Sequence, residues 1–205
     1  RGGCAVKLPK YIRDKKAVLN VKSADEKCFV WSVLASRRNY HSHANDWKRY
    51  AKDESKINLD GIRFPVELLQ ITKFEQQNRM AINVYTYDGD IFPLRISKRQ
   101  GFSEVVNLLY YKNHYCLIRS LDRLLSEQRL SRRRKFFCHR CLLPFYNEQA
   151  RAEHVALCIN SECTIVRMAD KQHLQFENHR KQLRRSTIVY ADFEALTEKV
   201  PAVEG

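Results

Sequence analysis

Three sets of residues in this sequence have the types and spacing to do chemistry. The first is Cys138-x2-Cys141, followed after twelve residues by His154-x3-Cys158. Thiolates and an imidazole at these intervals can close a tetrahedron around one Zn²⁺, with a Cys-Cys knuckle at one end and a His/Cys pair one helical turn apart at the other. All four positions are filled by protein, so such a zinc is structural and leaves no place for a substrate. His139 and Cys163 are alternates of lower rank. The second set is Asp192 and Glu194 in IVYADFEAL. Ile188, Val189 and Tyr190 make a short buried strand, and two carboxylates two residues apart project from its end on one side. That arrangement lets them share Mg²⁺ ions, as two-metal phosphodiester hydrolysis requires. An isolated Asp-x-Glu is nonetheless a weak signal. The third set is Cys28 and His114. Cys28 stands at the N-terminus of an expected helix, where free N–H groups stabilise a thiolate, and a nearby imidazole would complete an activated nucleophile. The commoner fate of both residues is burial, as a small hydrophobe and a hydrogen-bonded strand residue.

Around these sets lies an excess of positive charge. The 205 residues carry 37 Lys+Arg against 23 Asp+Glu, a net charge of +14 that favours polyanionic partners, DNA among them. Arg129, Arg132, Arg133, Arg134 and Lys135 crowd the segment before the Cys-Cys knuckle, and Arg184 and Arg185 follow the His/Cys pair at a distance. A basic run is usually a solvated face or linker. Beside a zinc module in a chain of this charge it reads instead as a phosphate-contacting strip, which positions nucleic acid without reading its sequence.

The elements that must position these groups follow from periodicity. Residues 1–22 are basic, broken by Gly2, Gly3 and Pro9, and read as an arm or edge segment. In ADEKCFVWSVLAS, Asp25 and Glu26 precede an apolar run over residues 29–35 that predicts a buried helix opening at Cys28. A second, polar helix is expected over residues 47–52. Pro65 as a first helical residue, with Leu68, Ile71 and Phe74 on one face, predicts a helix over about 65–77. The period then becomes that of strands. Ile82 and Val84 face Leu94 and Ile96 across Asp88-Gly89-Asp90 in one hairpin, and VVNLLYY faces HYCLIRSL across Lys112-Asn113 in another, with His114 opening the last strand. The expectation is an α+β domain, its antiparallel sheet covered by helices on one face. Phe145, four residues after Cys141, sits where a ββα finger keeps its core aromatic. Arg151 stands where such fingers place a leucine, so the finger helix is expected to pack through Ala150, Val155 and Leu157.

Composition sets the remaining bounds. A hydrophobic fraction of 44% with 11% aromatics is enough to bury a good core. The seven cysteines are odd in number and three sit in metal spacing, which favours a reducing, intracellular and here nuclear setting over a disulfide framework. No apolar run approaches the ~18 residues of a membrane span. The chain starts at Arg1 without a methionine, and both ends read as cut.

Two resemblances follow from these words. DEKCFVWSV and NHYCLI, with INVY and a DG turn between them, resemble the signature boxes of OTU-type, papain-like cysteine proteases. This implies a papain-like fold, Cys28 and His114 as catalytic pair, and a ubiquitin-like protein as partner. The usual Gly after the Asp is Glu26 here, and Asp122 is the nearest candidate for a third member. YADFEA resembles the first exonuclease motif of family B DNA polymerases. KCFVWSVLA, LDGIRFPVELLQITKFEQQN, INVYTY, IFPLRIS, NHYCLIRSLDRLL and the finger are similar to what precedes that motif in the polymerases of Polinton/Maverick-type elements and their viral relatives. This second resemblance covers most of residues 25–196. It implies a replicative, protein-primed DNA polymerase with a terminal protein as partner, and Asp192 and Glu194 as Mg²⁺ ligands of an RNase H-like 3′-5′ proofreading domain.

The organisation so implied is a basic arm (1–22), an α+β accessory domain (23–126), a basic linker (127–137), a ββα-type zinc finger (138–158), a basic connector (159–186) and the first strand of an exonuclease domain (187–205). The later exonuclease carboxylates and any polymerase palm would lie downstream. The main expectation is therefore an N-terminal polymerase fragment that binds DNA without turning it over. The rival expectations are a cysteine protease module carrying a nucleic-acid-binding finger, and a zinc-dependent protein-interaction domain.

Overall fold

The computed structural model describes residues 6–38, 40, 42–98, 102–126 and 135–158, all of them within the compact unit formed by residues 1–164. Among the described residues no helix is long and apolar enough to cross a membrane. The fold is α+β, built on a five-stranded sheet.

Two turns fix the two hairpins. Gly89, at φ 80°, lets β2 (Met80–Asp88) fold back as β3 (Asp90–Arg95), with Asp88 opposite Asp90. Lys112 and Asn113, both left-handed at φ 49° and 58°, join β4 (Glu104–Tyr111) to β5 (His114–Ile118), as a two-residue hairpin loop requires. His114 does open the last strand.

The sheet differs from expectation in being mixed. β2 and β4 pair in parallel, from Met80 opposite Glu104 to Tyr85 opposite Leu109, so the two antiparallel hairpins meet along a parallel seam. A short β1 (Val18–Leu19) adds to β5 at the far edge, giving the order β1-β5-β4-β2-β3. The segment read as an arm or edge is thus an edge strand preceded by α1 (Lys10–Lys15), and the domain begins well before residue 23.

Helices cover both faces of the sheet, where only one covered face was expected. All five residues of β5 are buried, and a strand buried at every position needs apolar cover on both sides. On one face α2 (Cys28–Ser36) and α3 (Ile71–Asn78) pack Phe29 and Phe74 against Tyr115, with Phe29 edge-on to both rings at 5.0 and 5.2 Å. On the other, Ile12 of α1 and Leu121 and Leu124 of α4 (Leu121–Leu125) pack with Tyr85, Leu109, Cys116 and Ile118.

The α2 helix begins where predicted because Asp25 holds its entry. One carboxylate oxygen accepts from the Lys27 N–H at 3.1 Å and from Trp31 Nε1 at 2.9 Å, which ties the first turn to the chain before it. The helix expected from Pro65 starts later. Glu67 is extended and forms a reciprocal cap with Gln70 over a short 3₁₀ turn (Leu68–Gln70), and only then does α3 follow. The polar helix expected over 47–52 is two 3₁₀ segments, Trp47–Arg49 and Ala51–Lys56.

One ion pair is locked inside this frame. Glu75, 1% exposed, takes the Ile82 N–H at 2.6 Å and Arg95 Nη2 at 2.6 Å, joining α3 to the first hairpin with every partner satisfied.

Candidate metal centre

The zinc-type module is assembled from two short strands and a helix. β6 (Phe136–Phe137) pairs antiparallel with β7 (Pro144–Phe145), and the turn between them carries both cysteines of the knuckle. That turn is closed by the Cys138 N–H to Leu143 O at 3.0 Å and the Leu142 N–H to Cys138 O at 2.8 Å, with Leu142 left-handed at φ 63°. Asn147 caps the helix α5 (Glu148–Cys158) by accepting from the Ala150 N–H at 2.7 Å. His154 and Cys158, four residues apart, stand one above the other on its inner face. Phe145 packs against the His154 ring at 4.9 Å between centroids, which fixes the imidazole plane.

The four donors converge. One ligand atom from each of Cys138, Cys141, His154 and Cys158 lies within 4.8 Å of every other. Cys138 Sγ is 4.0 Å from Cys158 Sγ, and Cys141 Sγ is 3.1 Å from His154 Nε2. A tetrahedral zinc with ordinary bond lengths would have edges of about 3.8 Å between sulfurs and about 3.5 Å between sulfur and nitrogen, so the cluster already has the right size. Its chemistry fits as well. In the metal-free thiols, burial and then the neighbouring Cys138 and Cys141 push Cys158 up to about 12, and a bound dication is what would draw these protons off. Cys138, 1% exposed, forms the sheltered corner, and Cys141 the exposed one.

The module is docked on the α+β body. Tyr85, fully buried on β2, donates its hydroxyl to His139 O at 2.5 Å, and Asp122 on α4 accepts the Phe137 N–H at 2.8 Å. Burial first, and then Cys138, hold the Tyr85 phenol protonated far above the ordinary range, so it stays a donor. His139, the alternate ligand, gives its backbone carbonyl to this contact, and its ring is not among the converging groups. The linker boundary at 137 is corrected too, since Phe136 and Phe137 are a strand of the module. The finger helix packs through half-buried Ala150 and Val155, but Leu157, expected beside them, is 73% exposed. Arg151 is held by Glu148 at 2.6 Å.

The Cys28/His114 pair has a different outcome. Cys28 opens α2 as expected, buried in the cluster with Phe29, Tyr115 and Leu117. His114 is one residue before Tyr115 on an extended strand and so turns to the opposite face. There its Nε2 meets Asn20 Oδ1 at 2.8 Å, and the Asn20 amide in turn donates to Val6 O at 2.7 Å. His114 Nδ1 is buried without a hydrogen-bond partner, and desolvation lowers the ring pKa to about 4. Asp122, the candidate third member, serves the fold by holding the zinc module, and Asp25 in the DEKCFVWSV word holds Trp31.

Of the basic and acidic residues singled out by the sequence, Lys135 is half-buried just before β6. Arg129, Arg132, Arg133, Arg134, Cys163, Arg184, Arg185, Asp192 and Glu194 lie outside the described residues. Sequence reasoning missed Tyr85 as a docking residue. Its only trace was a tyrosine in INVYTY on the strand face opposite the main core.

No family model, curated protein or solved structure matches this chain.

Proposed function

We propose that this chain is the N-terminal part of a DNA-directed DNA polymerase of the selfish-element or viral kind, in which the α+β body and its zinc module hold DNA ahead of a 3′-5′ proofreading domain. The observation that carries the reading is the converging Cys/His cluster, set in a chain of net charge +14 between an arginine run and the YADFEA segment. In this reading zinc is structural: Cys138, Cys141, His154 and Cys158 hold it, and what it supplies is the fixed shape of the module. Arg129, Arg132, Arg133, Arg134, Lys135, Arg184 and Arg185 supply contacts to phosphates, independent of sequence. Asp192 and Glu194 would be ligands for Mg²⁺ in the parent enzyme; this pair alone does not complete a two-metal site, so the expected behaviour is DNA binding without cutting. A terminal protein primer is the partner this reading implies for the parent, in the nucleus.

The cysteine-protease reading gains nothing from the placement of Cys28 and His114 on opposite faces of the sheet.

The test is binding of a labelled DNA as salt rises from about 50 to about 200 mM. Even three phosphate contacts imply a loss of roughly 40-fold over that range, linear on logarithmic axes. Negligible affinity at the low end would leave a protein-binding zinc domain. Mg²⁺-dependent cleavage that vanishes in Asp192→Ala would overturn the claim of binding without turnover.

A further inference from the structure

The three cysteines of the metal centre differ in their access to solvent. Cys138 is 1% exposed and stands in a turn closed by two backbone bonds, from the Cys138 N–H to Leu143 O and from the Leu142 N–H to Cys138 O. Cys141 is exposed, and Cys158, half-buried, is the last residue of α5, where a helix yields most easily. The Cys141 and Cys158 sulfurs lie within 4.8 Å of each other, so a movement of at most about 3 Å brings them to bonding distance. Cys28 and Cys116, by contrast, are buried in the body. We propose that the zinc module is an oxidant-sensitive switch, in which a hydroperoxide enters at Cys141, Cys158 closes a disulfide with it, and the metal is released. The inference rests on the reading of Cys138, Cys141, His154 and Cys158 as zinc ligands, and adds to it a means of regulation.

Access selects the entry point. A bound dication keeps its sulfur ligands as thiolates, the form that attacks a peroxide, so the cysteine that solvent reaches is the one that reacts. First the Cys141 sulfur attacks one peroxide oxygen: an S–O bond forms, the O–O bond breaks, and hydroxide leaves, with a sulfenic acid on Cys141. Then the Cys158 thiolate attacks that sulfur: an S–S bond forms, the S–O bond breaks, and a second hydroxide leaves. Two thiolates and one hydrogen peroxide thus give one disulfide and two hydroxides, and two electrons pass from sulfur to oxygen. Cys138 and His154 alone remain as ligands, too few to close a tetrahedron. The effect reaches the body through the knuckle. His139, between the two knuckle cysteines, takes the Tyr85 hydroxyl, and Phe137 before them gives its N–H to Asp122. A thiol reductant returns the two electrons, opens the S–S bond and restores the donor set.

The experiment treats the zinc-loaded chain with excess hydrogen peroxide. It follows released zinc with a chromogenic chelator, the pairing of all seven cysteines by peptide mapping, and amide exchange over residues 136–158. The expected result is zinc release in step with a Cys141–Cys158 disulfide, both reversed by dithiothreitol and added zinc. Exchange should quicken in the module and stay unchanged in β5. Cys141→His and Cys158→His each keep a zinc-binding side chain while removing one partner of the disulfide. Cys141→His should slow release about tenfold, and Cys158→His should leave a sulfenic acid on Cys141 that dimedone labels. Zinc content before oxidation is the control for each variant, and where a variant fails to load, the other and the wild-type disulfide map decide. Release from Cys141→His at the wild-type rate, or a wild-type disulfide between other cysteines, overturns the switch and leaves the zinc reading standing. So does the absence of dimedone labelling at Cys141 in Cys158→His. A wild-type chain that neither carries nor takes up zinc overturns both.

Discussion

The hydroxyl of Tyr85 donates to the carbonyl oxygen of His139 at 2.5 Å, across the boundary between the sheet and the zinc module. Tyr85 is fully buried, so its hydroxyl has no water to turn to when this acceptor is lost. Tyr85→Phe should therefore cost about 1 kcal/mol and lower the melting temperature by a few degrees. Amide exchange should quicken over residues 136–158 more than in β5. Asp122→Ala should act in the same direction through the Phe137 N–H, and Asp122→Asn, which keeps an acceptor, should act less. Equal protection of the module in wild type and Tyr85→Phe would show that the docking bond holds nothing.

Metal content gives the second prediction. The purified chain should carry one zinc, and Cys141→Ser or His154→Ala should lose it. Chelation should loosen residues 136–158 first and leave the core from Leu19 to Leu125 folded, because that core closes around Phe29, Phe74 and Tyr115 without help from the module. Hydrogen exchange with and without chelator separates the two regions. A single cooperative collapse on chelation would show instead that the body depends on the metal.

Cys28 should be inert. It is 2% exposed, and His114 turns to the other face of the sheet. A ubiquitin-based active-site probe should leave Cys28 unlabelled, and Cys28→Ala should change stability modestly with no other phenotype. Labelling lost in Cys28→Ala would revive the protease reading.

The pH dependence follows from His114, 1% exposed and held to about 4 against an ordinary value of 6.5. Its folded pKa is the lower one, so between pH 6.5 and 4 the unfolded chain binds more protons than the folded chain. Stability from the neutral ring is complete above about 6.5 and is lost as pH falls toward 4, by roughly 3 kcal/mol at most. Zinc ligands also lose their metal in acid, so the comparison that isolates the ring is wild type against His114→Gln. The variant should show a shallower fall in melting temperature over that window, and parallel curves would refute it.

Local features were the legible ones. The zinc ligands declare themselves because their geometry is written in short spacings, and both hairpins because Asp88-Gly89-Asp90 and Lys112-Asn113 meet the backbone demands of tight turns within a few residues. The entry to α2 was visible in Asp25. What stayed hidden depends on distant partners. Nothing near Met80 announces Glu104 as its parallel neighbour, and nothing in the basic start announces that Val18 and Leu19 will edge the sheet. The Cys28/His114 pairing failed for a related reason: sequence words place two residues on the right elements, but only strand register decides which face His114 takes.

The parallel seam between β2 and β4 carries one more consequence, for the order in which the molecule is put together. Tyr85 belongs to the first hairpin and Asp122 follows the second, so the two anchors of the zinc module stand on opposite sides of that seam. Each hairpin can form by itself from neighbouring residues, whereas the landing place for the module exists only after they have joined. Once seated, the metal-binding segment therefore acts as a clasp across a parallel strand pairing that local sequence does not dictate.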